Sequence, residues 1–143
     1  MTVKLSKEIT QEIYDHGEKD YPYECCGFLI GKQDGDDRII TEIRRQPNQR
    51  EDSQETRFLI QPEEFRDAER YAKETGQEML GIYHSHPESP ARPSEYDRNH
   101  AWPWYSYLIL SVRDGEAAEM YGWQLRDDRS QFDEIPLELE STE

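Results

Sequence analysis

Leu5, Ile9 and Ile13 recur at four-residue spacing behind Ser6, a residue placed to cap, so the pattern predicts an amphipathic helix from Ser6 to about Gly17. The short, mostly apolar run Cys25–Ile30 follows a Tyr-Pro-Tyr turn and ends at Gly31, which reads as a buried strand. Asp34-Gly35-Asp36 turns the chain into Arg38–Arg45, where Ile39, Ile40 and Ile43 supply a half-buried strand. Gln46–Thr56 is polar throughout and predicts a surface loop, and Arg57–Ile60 predicts another strand. Pro62, Glu63 and Glu64 open a helix that runs to Thr75 and stops at Gly76, with Phe65, Ala68, Tyr71 and Ala72 as its apolar stripe. Strands are expected over Met79–His84, Tyr105–Val112 and Glu116–Leu125, the last two joined by Asp114-Gly115, with a final strand within Phe132–Leu139 and a frayed acidic tail over Glu138–Glu143. Strands and helices alternate without a regular βαβ rhythm. The pattern therefore predicts an α/β chain of the α+β kind, a mixed sheet flanked by helices.

At 143 residues the chain is expected to form one domain, 1–143, with a single core. Its first thirty residues carry no basic-apolar-small leader pattern, and no apolar run reaches the length of a membrane span, so a cytoplasmic setting is expected. The two cysteines, Cys25 and Cys26, are adjacent and expected to be reduced; in an apolar strand they read as packing, on opposite sides. Thirty-two acidic residues against seventeen basic ones give a net charge of −15, which argues against nucleic acid or an anionic membrane as partner. Only five of the basic residues are lysine against twelve arginines, a balance suited to concentrated salt, where screening relieves self-repulsion.

The chemistry lies in His84-Ser85-His86-Pro87, followed by Ser94 and Asp97, the pattern H-x-H-x7-S-x2-D. Alternate side chains of a strand share a face, so His84 and His86 point together while Ser85 points away, and Pro87 ends the strand at a loop. His84, His86 and Asp97 can hold zinc and leave its fourth position for water, the arrangement of a catalytic zinc site. Alone, a His-x-His is commonly packing, and Ser94-x-x-Asp97 is an ordinary capping arrangement. The two together at this separation point to metal. Glu24, just before the buried strand, is the candidate base, although by position alone it could equally be a solvated turn residue. His16 is expected to be solvated and His100 to be a surface histidine. Trp102-Pro103-Trp104-Tyr105 fits either packing or the rim of a substrate groove.

The stretch Glu24-Cys25-Cys26-Gly27, the His84-Ser85-His86-Pro87 strand end, Ser94 and Asp97 resemble the JAMM (MPN+) family of zinc metalloproteases, over most of the chain. The resemblance implies a curved mixed sheet between helices, akin to the cytidine deaminase architecture. It also implies one Zn2+ held by His84, His86 and Asp97, with Glu24 as general acid–base and Ser94 as oxyanion donor. The minimal length resembles a bacterial branch that acts on sulfur-carrier proteins and frees cysteine from a carrier's Gly-Gly end during cysteine biosynthesis. The implied partner is thus a small ubiquitin-like or sulfur-carrier protein, whose tail could add beside the Arg57–Ile60 edge. A deubiquitinase-like isopeptidase and a non-catalytic MPN scaffold are the alternatives. A zinc deaminase expects Cys-x-x-Cys beside its His-x-Glu, and the chain, whose two cysteines are adjacent, lacks the cysteine pair. The acid-rich, lysine-poor composition predicts a higher melting temperature in molar KCl than at low salt; equal temperatures would show that charge repulsion does not limit this fold.

Overall fold

In the computed structural model the described residues, 1–47 and 60–139, form eight strands and three helices. In chain order these are β1 (Thr2–Leu5), α1 (Lys7–Asp20), β2 (Cys26–Asp34), β3 (Asp37–Gln46), α2 (Pro62–Glu74), β4 (Glu78–Pro87), α3 (Glu95–His100), β5 (Ser106–Arg113), β6 (Glu116–Leu125), β7 (Phe132–Ile135) and β8 (Leu137–Leu139). They make one mixed sheet in the order β7-β6-β5-β4-β2-β3-β1-β8. β4 is antiparallel to β2 and parallel to β5, while β1 is parallel to both β3 and β8.

Pro136 separates β7 from β8, and its carbonyl accepts from the Val3 amide at 3.0 Å. One short segment thus pairs with β6 at one end of the sheet and with β1 at the other. The sheet curls almost into a barrel, and its two outermost strands are successive pieces of chain. The sequence pattern merged these two pieces into a single strand, because a proline that cannot donate to a ladder is also where the chain changes partners.

The two faces carry separate cores. Val3, Leu5, Ile9, Ile13, Leu29 and Tyr83 belong to the α1 side, whereas Phe28, Ala68, Met79, Ile82 and Tyr107 belong to the α2 side. The α1 helix is capped by the Ser6 hydroxyl, which accepts from the Ile9 amide at 3.1 Å, but it runs past Gly17 to Asp20. Gly17 is a contact point rather than a stop: a Cβ there would lie 2.6 Å from the Leu110 side chain of β5. This close approach corrects the expectation for His16. The ring is buried, with Nδ1 2.7 Å from the Tyr83 hydroxyl and Nε2 3.2 Å from the Asp20 carboxylate. Burial lowers the His16 pKa, with Asp20 partly opposing the shift.

The α2 helix starts at Pro62 behind the Gln61–Glu64 capping box and ends before Gly76 at φ +72°, as its turn signals predict. β1 escaped the sequence pattern because only Val3 and Leu5 of its four residues are buried. Of the expected Arg57–Ile60 strand, residues 57–59 lie outside the described residues, and Ile60 is a buried residue outside any strand. Most of the loop expected over Gln46–Thr56 lies outside them as well, and β3 continues through Gln46. No helix among the described residues is long and apolar enough to cross a membrane.

Gly81 sits where β4 passes β5, and a Cβ built on it would overlap the Ser106 carbonyl. Backbone cannot yield as a side-chain tip can, so Gly81→Ala should cost about 3 kcal/mol. A fall in the urea midpoint at unchanged slope would show it; an unchanged midpoint would mean that the two strands slide freely.

Candidate metal centre

A register shift between Leu29 and Ile30 resets the side-chain parity of β4 against β2. Beyond it Ile82, His84 and His86 share the α2 face, while Tyr83 and Ser85 share the α1 face. On β2, Cys26 and Phe28 take the α2 face and Cys25 and Leu29 the other. Cys26 stands opposite His84, so Glu24, two residues earlier, projects beside the imidazoles. The Glu24 side chain is 3% exposed, which removes the solvated-turn reading, and its Oε1 lies 3.6 Å from His84 Nδ1.

The loop after β4 brings Asp97 back to the same place. Glu88 adopts φ +59° just past Pro87, and its carboxylate accepts from the Asp114 amide and the Tyr21 hydroxyl. Ser111 Oγ donates to the Ser89 carbonyl and Trp123 Nε1 to the Ala91 carbonyl, so the excursion is tied down on both sides. Ser94 then caps α3, accepting from the Asp97 amide at 3.1 Å, while Asp97 Oδ2 accepts from the Ser94 amide at 2.8 Å. The capping box is real, and it fixes the carboxylate. The same Oδ2 is 3.2 Å from His86 Nε2, and Oδ1 is 3.6 Å from His84 Nε2.

The His84 ring thus stands between two carboxylates, Glu24 toward Nδ1 and Asp97 toward Nε2. His86 Nδ1 is 3.0 Å from the Pro90 carbonyl, a contact that places the proton on Nδ1 and turns Nε2 inward as an acceptor. Donors of a tetrahedral zinc, each about 2.0–2.2 Å from the ion, stand roughly 3.3–3.5 Å apart. The 3.2 and 3.6 Å separations between Asp97 and the two imidazoles, made through its two different oxygens, lie close to that span, and a carboxylate with two imidazoles suits such an ion in chemistry. Glu24, His84 and His86 also offer donor atoms within 4.8 Å of one another. Glu24 thus completes that group with the two histidines, while Asp97 approaches each imidazole through a different oxygen.

Electrostatics separate the groups further. Burial raises the Asp97 carboxyl, but His84 and His86 more than reverse it, holding Asp97 below the usual carboxylate range. Burial lowers His86, but the Asp97 carboxylate, the Pro90 carbonyl and Glu24, which favour the protonated ring, together outweigh it, leaving a net upward shift. Burial pushes the Cys25 thiol up to about 12 and raises Cys26 as well. Neither cysteine is a thiolate nucleophile near neutral pH; both are buried packing residues on opposite faces.

A groove of about 600 Å³ leads away from His84 and Asp97 between α2 and the segment before β5. Phe65, Tyr105, Tyr107 and Trp104 line it, with Trp102 and Trp104 each at least half exposed. The aromatic segment is thus a groove wall as well as packing. Trp104 lies over the buried Arg38 guanidinium, 4.3 Å from its ring centre. Arg38 is pinned by donating to the Leu80 carbonyl at 3.0 Å and to Ser106 Oγ at 2.9 Å. No sequence pattern links Arg38 to Trp104, since they lie on strands and loops far apart along the chain. His100 is exposed, stacked on Tyr96 with ring centres 4.0 Å apart, and borders the groove.

Residues 6–126 match the family model described as prokaryotic homologs of the JAB domain. The chain is 34% identical over 132 residues to a desampylase of Haloferax volcanii, covering 87% of this chain and 92% of that one. It is 27% identical to the CysO-cysteine peptidase of Mycobacterium tuberculosis, covering 86% and 82%. A solution structure of a protein from Desulfitobacterium hafniense superposes with a TM-score of 0.83 at 33% identity, over 99% of this chain and 95% of that one. A JAB1/MPN domain protein from Archaeoglobus fulgidus shares the fold, with a TM-score of 0.63 at 20% identity, over 96% and 99%. With its sheet, its convergent histidines and these likenesses in agreement, the chain belongs to the prokaryotic JAB-domain family.

Proposed function

We propose that this chain is a zinc-dependent metallopeptidase that hydrolyses the amide bond after the C-terminal Gly-Gly tail of a ubiquitin-like or sulfur-carrier protein. The observation that carries the reading is the His84 ring held between two buried carboxylates, with His86 beside it. The likeness to a CysO-cysteine peptidase supports a carrier–cysteine adduct as substrate, with a role in cysteine biosynthesis. The likeness to a desampylase supports a second reading, removal of a small protein modifier from a conjugate.

His84, His86 and Asp97 would hold the metal, because the Asp97 oxygens approach both imidazoles at 3.2 and 3.6 Å and the cap on α3 fixes that carboxylate. A zinc ion bound there would polarise the scissile carbonyl and bring the pKa of a water molecule to about 7. Glu24 takes a proton from the attacking water and delivers it to the leaving amine. Burial of Glu24 keeps bulk water from competing for the proton. Ser94 uses its oxygen to accept from the Asp97 amide and so keeps its hydroxyl proton for the developing oxyanion, a donor role worth about 3–4 kcal/mol. The groove walls receive the substrate tail in an extended form, sorting side chains by shape and apolarity.

Two substitutions divide the carboxylates. Glu24→Gln should bind one zinc per chain and lose turnover by about 10³-fold or more, whereas Asp97→Asn should lose metal affinity by about 10–100-fold. Metal analysis beside release of cysteine from a carrier–cysteine adduct reads both; a Glu24→Gln protein as active as the parent would end the assignment of the base. A chelator should abolish release and added zinc restore it, and an adduct left intact by the zinc-loaded parent while a lysine conjugate is cut would favour the second reading. Trp104→Ala should raise KM about tenfold with kcat held, since it removes a groove wall and no reacting group. Unchanged KM would place the tail elsewhere.

A further inference from the structure

The geometry points to Ser85, the residue between the two histidines, as a positioning residue that holds the Glu24 carboxylate in place from the opposite face of the sheet. The inference rests on the role proposed above for Glu24 and adds how that role is secured.

Glu24 lies outside the strand ladder, since β2 begins at Cys26. What anchors its backbone is the Cys25 unit that follows. Both main-chain groups of Cys25 go to Ser85: the Cys25 carbonyl accepts from the Ser85 amide at 3.1 Å, and the Cys25 amide donates to Ser85 Oγ at 2.8 Å. The second of these bonds is the important one. The Cys25 N–H belongs to the peptide plane joining Glu24 to Cys25, so the serine hydroxyl fixes the rotation of that plane about the Glu24 Cα. The direction in which the Glu24 side chain leaves the backbone is set with it.

Ser85 is fully buried, on the α1 face with Tyr83, while Glu24, His84 and His86 work on the α2 face. It touches none of the groups proposed to react. Removing its hydroxyl leaves a buried N–H without an acceptor in a place no solvent reaches, and the peptide must rotate to find one. A rotation that shifts a carboxylate by about 1 Å can cost about 100-fold in rate without altering substrate binding. The histidine ligands stay on the β4 ladder, which pairs with β2 and β5 through main-chain groups, and so hold their metal.

The test compares Ser85→Ala, Ser85→Thr and Ser85→Val. Threonine keeps the hydroxyl and valine has the same shape without it. In the zinc-loaded protein, Ala and Val should lower kcat about 10–100-fold with KM and zinc content unchanged, and Thr should restore most of the rate. Equal losses for Thr and Val would make Ser85 a packing residue, and loss of zinc would tie it to the ligands; either result overturns the inference. A readout that needs neither activity nor metal is amide exchange at Cys25 by NMR. The parent should show strong protection of that amide, and Ala should exchange about tenfold or more faster. If the parent amide exchanges as freely as an exposed one, the Ser85 anchor does not exist, whether or not the chain cleaves a carrier adduct. If the anchor is present and the parent cleaves nothing, the function reading fails and this local geometry stands.

Discussion

The pairing of Cys26 with His84 is the constraint on which the site depends. Strand side chains alternate, so a slip of one residue between β2 and β4 would turn both imidazoles into the apolar core beneath α1. Glu24 would then face away from them. The register is fixed from both sides by unlike demands. Phe28 and Ile82 must meet the α2 layer, and Leu29 and Tyr83 must meet the α1 layer. The shift between Leu29 and Ile30 absorbs one residue, so that both demands hold along the whole strand. The parallel ladder to β5 then fixes the opposite edge of β4, with His84 beside Ile109 and His86 beside Ser111.

Local devices serve the site twice over. The Ser94–Asp97 box that starts α3 is an ordinary helix cap, and the carboxylate oxygen that accepts from the Ser94 amide is the one nearest His86. A capped carboxylate is turned in a set direction by its own backbone, which lowers the cost of holding it among buried imidazoles. The Pro90 carbonyl does the same for His86 by fixing its tautomer. The centre is therefore preorganised by hydrogen bonds that each have a plain structural role.

The molecule divides its surface between solvent and site. The chain carries a net charge of −15, while aromatic rings form much of the wall of the groove beside His84. One wall, Trp104, rests on Arg38, whose guanidinium donates to groups at the starts of β4 and β5. The planar cation supports the ring and stitches the strands at once.

The chain announced its helices through capping residues and four-residue periodicity, and most strands through apolar runs between glycine or aspartate turns. It also announced the His-x-His and Ser-x-x-Asp pattern from His84 to Asp97, because spacing within one strand and one turn of helix is a local property. The expectations that needed revision all involve distant partners. β1 has too few buried positions to stand out, Pro136 divides one apparent strand into two with different neighbours, and His16 is buried only because Gly17 lets α1 settle on Leu110. Glu24, named from the sequence as the candidate base, needed the fold for its burial beside His84. Nothing in its neighbours distinguishes a turn glutamate from a carboxylate aimed at a histidine sixty residues later. The local code settles which residue types are near one another along the chain, whereas the folding of two strands into one register decides which face they share, since that depends on burying both sides of the sheet at once.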